Sequence, residues 1–328
     1  DAHFVHHLVS DKHPEIAVFG VFDGHGGCEV ARFCEKYLPS EFPSAEGFPE
    51  NMESALISVF HRMDEMLKED AFQKELEEMR MSGETSNGKT DDDKDESGNG
   101  SSPAEAVLKQ LDLVRKLMFP VGEESQNGGE SATMNESMNP STEMNALVQA
   151  GATAIVAVVK GSDLFVANAG DSRGVLCRGS EAVALSQDHK PSLDSERTRI
   201  EAAGGFLSDI AGMCRVNGNL NLSRAIGDLR YKCNTKLKPK DQIITAEPDV
   251  TRFTIESVDR FFILACDGVW DVMDNQQAVD FVLSGLDEEK SVSEIAAELL
   301  DHCLAMDPKL TRGVGCDNMT CLIAVFDP

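Results

Sequence analysis

The residues best equipped for chemistry are an aspartate and a histidine two positions apart, Asp23-Gly-His25, followed by Gly26 and Gly27. They stand at the end of an apolar run, Ala17 to Phe22, which reads as a buried strand ended by a glycine cluster. A carboxylate there can hold a cation, and an imidazole beside it can move a proton. Two more acids are delivered the same way. Asp259 to Cys266 is strand-like and leads into Asp267-Gly-Val-Trp-Asp271, while Asp317-Asn318 precedes the strand-like Met319 to Phe326. Taken singly, an Asp-Gly pair is first of all a turn signal. Three acids at the ends of three core strands can converge on one edge of a sheet, and an all-oxygen cluster suits hard divalent ions such as Mg²⁺ or Mn²⁺. Asp171, after the run Leu164 to Ala169, is a fourth acid of this kind.

These stretches belong to an ordered series: Asp23-Gly-His-Gly-Gly27, Gly151-Ala-Thr153-Ala, Ala167-Asn-Ala-Gly-Asp171-Ser-Arg173, Arg215-Val-Asn-Gly218, Ser223-Arg-Ala-Ile-Gly-Asp228, Glu247-Pro-Asp249-Val, Asp267-Gly-Val-Trp-Asp271 and Asp317-Asn318. In order and spacing the series resembles the metal-dependent protein serine/threonine phosphatases of the PP2C (PPM) family, over nearly the whole chain outside one insert. The resemblance implies an α+β fold, a central antiparallel β-sandwich flanked by pairs of helices in four layers, with metals at one end. It implies two ions, Mg²⁺ or Mn²⁺, with Asp23 bridging, the Gly24 carbonyl on one of them, and Asp267 and Asp317 completing the other. Asp171 and Asp271, with Asp267, are expected to hold a third, weaker ion. Asp1 would stand behind the ligands, and Asn318 would orient Asp317 or its loop. The implied reaction is in-line attack of metal-activated water on a phosphoserine or phosphothreonine ester, with His25 as general acid for the leaving oxygen. Asp228 and Asp249 read as turn or cap residues, and Arg173 and Arg224 as halves of structural ion pairs.

By the same resemblance a metal-binding Glu and a phosphate-binding Arg stand upstream of Asp1, and the expectation is that the natural protein has them. Two other functions fit the residues less well. A pseudophosphatase that keeps the fold as a protein-binding module would not need Asp23, Asp267 and Asp317 together. A nuclease or small-molecule phosphatase with two metals is disfavoured by the acidic chain.

That acidity is pronounced: the formal net charge is −27 over 328 residues. It argues against nucleic acid or an anionic membrane as main partner, and phosphorylated protein substrates would have to be met through bound cations. The nine cysteines show no C-x-x-C pair and no zinc spacing, which suggests free thiols in a reducing compartment, cytoplasmic or nuclear. No Cys is separated by five intervening residues from a following Arg, so a cysteine-nucleophile phosphatase is disfavoured. No apolar run is long enough to span a bilayer, and a monomer is expected.

The elements that must position these residues follow from periodicity. Gly27 opens a helix with Val30, Ala31, Cys34, Tyr37 and Leu38 on one face, expected to stop at Pro39. Asn51 to about Arg80 reads as one long helix with Met52, Ala55, Leu56, Val59, Phe60, Met63 and Met66 facing a core. From about 82 to 145 the composition turns acidic and low in complexity, an insert in an otherwise single domain. Within it, Ser102-Pro-Ala-Glu105 predicts the start of a helix running to Met118. Gly83 to Thr90 spells a P-loop and Asp93 to Gly98 the start of an EF-hand, but a helix precedes the first and Ala104 stands at the second's twelfth position, so neither is accepted. Beyond Gly151 two hairpins are predicted, 152–160 with 163–169 and 174–178 with 182–185, then helices at 195–203, 274–283 and 291–306. Residues 206–222 read as a connection that the resemblance makes a flap beside the site.

Overall fold

The computed structural model describes residues 1–6, 13–86, 148–210, 212–311 and 313–326. The helix predicted at 102–118 and most of the acidic insert lie outside the described residues. Residues 1–87 and 144–328 belong to one compact unit.

Long apolar runs form its centre because both faces of the central strands are covered. Strand β1 (Ala2–His6) pairs with β2 (Ile16–His25), which pairs with β3 (Gly151–Lys160), then β4 (Asp163–Ala169). A second sheet holds β5 (Arg173–Arg178) and β6 (Glu181–Ala184), the second predicted hairpin. The flap contains β7 (Leu207–Ile210) and β8 (Met213–Val216), two strands where the sequence predicts only a connection. A two-residue strand β9 (Ile226–Gly227) joins the free side of β3 near its start, and β10 (Asp249–Thr254) extends the first sheet beyond β4. In the second sheet β11 (Asp259–Ala265) lies between β5 and β12 (Cys321–Val325). All these pairings are antiparallel.

Alternation sorts the side chains between layers. Phe19 and Val21 of β2, Ile155 and Ala157 of β3, and Phe262 and Leu264 of β11 fill the space between the sheets. The intervening residues face helices instead. Val18, Phe22, Ala154 and Val156 pack against α1 (Glu29–Glu41) and α2 (Met52–Met66). Phe261, Ile263 and Ala265 pack against α6 (Asn275–Asp287) and α7 (Val292–Cys303). The result is the expected α+β sandwich with helices on both outer faces. Between these blocks lie α3 (Asp70–Ser86), α4 (Asp194–Ala202) and the four-residue α5 (Asp267–Trp270).

Two helix expectations are corrected. The single helix expected over 51–80 is two, α2 and α3, because the chain tightens at Leu67–Glu69. There Lys68 and Glu69 donate to carbonyls only three residues back, and the Gln73 amide reaches the carbonyls of Leu67 and Glu69. The apolar stripe continues past this break and conceals it. Pro39 does not stop α1, which runs to Glu41. One proline in the last turn forfeits a single internal hydrogen bond and already has a helical φ, and the Phe42 N–H still reaches the Leu38 carbonyl. Helix α3 also runs on through Ser86, so the P-loop look-alike begins in a helix, the opposite of what its phosphate cradle needs.

The flap is anchored by a buried ionic cluster. Ile200, Val216, Leu222, Ala225, Tyr231 and Ile244 form a small core beneath it. Beside that core Glu196, 1% exposed, accepts from Arg199 at 2.5 Å, from Arg224 at 2.7 Å and from the Ser223 hydroxyl at 2.7 Å. Burial works against its charge, yet Arg224, Arg199 and Ser223 outweigh it and hold the carboxyl down at about 2. We expect Glu196→Ala to cost about 3–5 kcal/mol, since two arginines lose their buried partner. Chemical denaturation against the parent measures it. The folded pKa lies below the ordinary 4.5, so Glu196's contribution is complete above that value and is lost as pH falls toward 2. The gap between variant and parent should therefore narrow over that window.

Candidate active site

Asp23 and His25 lie within β2, which continues past the expected strand end at Phe22 as far as His25. Asp23 pairs with Thr153, Gly24 with Ala152 and His25 with Gly151 of β3. Two apart on one strand, Asp23 and His25 share a face, the side of the sheet that looks toward the second sheet. Asp267 begins α5 where β11 ends, and Asp271 follows the last residue of that helix, its N–H donating to the Asp267 carbonyl at 2.8 Å. Asp171 lies in the turn between β4 and β5 and is 2% exposed. Asp317 stands just before β12.

The structure brings these acids into one electrostatic basin. Burial raises the Asp23 carboxyl well above the usual range. Asp267 adds to this by its charge and by a shared hydrogen bond, and Asp171 and Asp317 add more. Burial also raises Asp267, with Asp171 and Asp271 pushing the same way, and raises Asp271. The cation already present is Lys190, whose Nζ donates to Asp171 Oδ2 at 2.6 Å and whose charge eases the ionisation of Asp267 and Asp271.

Among the described residues no three His, Cys, Asp or Glu side chains close into a finished metal cage. The donor chemistry nonetheless fits a divalent ion, because a set of carboxylates with raised affinity for protons has the same demand for any hard cation. Asp1 adds to the fit. Its Oδ2 accepts from the Thr320 hydroxyl at 2.9 Å, while its Oδ1 is buried without a hydrogen-bond partner. With Gly24, Gly26, Cys28, Arg80 and Asn318 it lines a cleft of about 360 Å³. Asn318 acts through its backbone: its N–H donates to Asp317 Oδ1 at 2.8 Å, and its carbonyl packs on Gly268.

Arg173 pairs with Asp188 and Arg224 with Glu196 and Asp249, so neither arginine is left over for a ligand. Asp228 caps a turn, as read, but does more than that. It is fully buried, and its Oδ2 lies 2.6 Å from His25 Nε2. The available signal was its place directly after the glycine of Ala225-Ile-Gly-Asp228. What was missing was the pairing of β9 with β3, which spans 75 residues of chain from Ile226 back to Gly151 and is invisible to local periodicity.

Comparison with known proteins agrees with this geometry. The family model for protein phosphatase 2C matches residues 1–90 and 98–309. The chain belongs to the protein phosphatase 2C family. It is 40% identical over 314 residues to probable protein phosphatase 2C 11 of Oryza sativa subsp. japonica, covering 95% of this chain and 78% of that protein. It is 39% identical to probable protein phosphatase 2C 60 of Arabidopsis thaliana (98% and 81% covered) and 38% identical to probable protein phosphatase 2C 6 of Paramecium tetraurelia (95% and 84% covered). Its fold matches the crystal structure of serine-threonine phosphatase 2C from Toxoplasma gondii with a TM-score of 0.64 at 18% identity, over 99% of this chain and 89% of that one. As a member of the family the chain is a protein serine/threonine phosphatase. No helix among the described residues is long and apolar enough to cross a membrane.

Crowded carboxylates predict an opposite response of stability with and without metal. Asp267→Asn removes one charge from the basin, so with EDTA present the variant should melt about 2–4 °C above the parent, the effect of about 1 kcal/mol in a domain of this size. In Mn²⁺ the order should reverse, because the parent gains binding energy that the variant lacks. Thermal unfolding in the two buffers reads both signs.

Proposed function

We propose that this phosphatase hydrolyses phosphoserine and phosphothreonine esters in proteins at the carboxylate basin, with two divalent ions, Mg²⁺ or Mn²⁺, and His25 as general acid. The observation that carries the reading is the meeting of Asp23, from one sheet, with Asp267, from the other, in a shared hydrogen bond. Two half-buried carboxylates are brought that close where a cation is to be held. Asp23, the Gly24 carbonyl, Asp267 and Asp317 are the groups that would hold the ions. When bound, such ions supply an activated water and neutralise charge on the phosphoryl oxygens.

The chain's own residues do the rest. The strand pairing of Asp23 and His25 with β3 fixes the spacing between carboxylate and imidazole, so that a phosphoryl group drawn to the basin meets a proton donor at its leaving oxygen. The imidazole is partly exposed, which lets a bulky protein substrate approach it. Asp171 and Asp271, expected to hold a third ion, face Lys190. An ion there would have to share Asp171 with the ammonium group. No observation favours a binding module that has lost catalysis.

The natural full-length protein should release phosphate from a phosphothreonine peptide in Mn²⁺ or Mg²⁺ and stop when EDTA is added. Asp267→Asn should lower turnover by about a thousandfold or more, the scale on which lost electrostatic stabilisation of the transition state is felt. Release that persists undiminished in EDTA would overturn the reading.

A further inference from the structure

The contact between His25 and Asp228 is built across a gap in the sheet. On β3, Gly151 is paired on one side with His25 of β2 and on the other with Gly227 of β9. The imidazole and the carboxylate of the next residue, Asp228, reach toward each other over the place where Gly151 has no side chain. A Cβ there would meet both the Asp228 carboxylate and His25 Nε2. Asp228 itself is held in the left-handed region, with φ 49 and ψ 37, unusual for a residue with a side chain. Its N–H donates to the Ala150 carbonyl at 2.9 Å, and the Gly227 N–H before it donates to Asp64 Oδ1 at 2.8 Å. Asp64 in turn accepts from buried Lys232 at 2.5 Å, and the Lys232 charge also feels Asp228. Asp228 Oδ1 is buried without a hydrogen-bond partner, so the imidazole is the hydrogen-bond partner that its side chain has. Strained backbone, full burial and a single polar contact are a costly way to make a turn.

We propose that Asp228 is a positioning residue for the general acid: its carboxylate accepts the Nε2–H of His25 and so assigns proton delivery to Nδ1. This rests on the reading of His25 given above. A carboxylate only accepts, so the nitrogen facing it carries a hydrogen and keeps it; the other nitrogen is the one that can pass a proton to the leaving seryl or threonyl oxygen. The O–P bond breaks with its electron pair on that oxygen, which takes the Nδ1 proton. The same hydrogen bond fixes the ring's rotation. Gly151 belongs to the device, because any side chain there would part the pair.

The test uses two substrates that differ in their need for an acid. A phosphothreonine peptide leaves as an alkoxide unless protonated, whereas p-nitrophenyl phosphate leaves as a stable phenolate. Asp228→Asn and His25→Gln, both in the natural full-length protein with Mn²⁺, should each lose about a hundredfold or more in kcat on the peptide. Each should lose far less on p-nitrophenyl phosphate, with KM for the peptide little changed. If His25→Gln shows this discrimination and Asp228→Asn loses equally on both substrates, or on neither, the role of Asp228 is overturned while the general acid stands. If His25→Gln itself does not discriminate, both fall. A measurement on the unaltered protein needs no variant to fold: nitrogen-15 NMR of neutral His25 should place the proton on Nε2, and a proton on Nδ1 would overturn the proposal.

Discussion

Like charges held close together at one end of the two sheets are what this structure is arranged around. Asp23, Asp171, Asp267, Asp271 and Asp317 come from four separate places in the chain, Asp267 and Asp271 flanking one short helix, and several of them raise one another's affinity for protons. Carboxylates left to themselves would move apart, since each gains by full hydration. They stay because the elements that carry them have no freedom to yield. Asp23 lies inside a ten-residue strand paired along its whole length with β3, and Asp267 starts a helix whose following Trp270 donates from its indole to the Ala265 carbonyl at 2.8 Å. The packing of two sheets and four flanking helices supplies the free energy that opposes the repulsion.

From this constraint follows the distribution of cations around the site. A chain with net charge −27 has few to spare. Arg173 is given to Asp188, and Arg199 and Arg224 to Glu196, all of them outside the basin itself. Lys190 enters it, guided by its neighbour His189, which is buried and bound at both ring nitrogens, to Gly170 and to Asp249. One ammonium group against five carboxylates leaves the basin short of positive charge, and hard divalent ions are the species whose charge density meets that demand without adding bulk.

The sequence showed the layers well because burial on both faces leaves unbroken apolar runs, and it showed the hairpins because Gly161-Ser162 and Gly179-Ser180 mark their turns. It showed four of the acids for a related reason: an aspartate directly after or before such a run must emerge at the sheet's end. Its failures arise where the outcome depends on more than the apolar pattern. The break at Leu67–Glu69 is set by Gln73 reaching back to carbonyls, while the apolar stripe of α2 passes it unchanged. Pro39 was read by its usual effect in a helix interior, although its distance from the helix end decides the outcome. The flap strands β7 and β8 are short and half exposed, with too little alternation to register.

Asp228 is the most instructive omission, since its residue type and neighbours were in plain view. Local reading gives Gly-Asp a turn, and a turn is what Gly227 and Asp228 make. The second property, a carboxylate delivered against His25, comes from β9 pairing with β3 for only two residues, enough to set the register and no more. A glycine at position 151 then does two things at once: it accepts strand pairing on both sides and leaves the space through which the two side chains meet. Pairing on both sides would accept any residue, but the space between the two side chains accepts glycine alone, although glycine weakens a strand. The site therefore depends on an absent side chain as much as on the acids that line it.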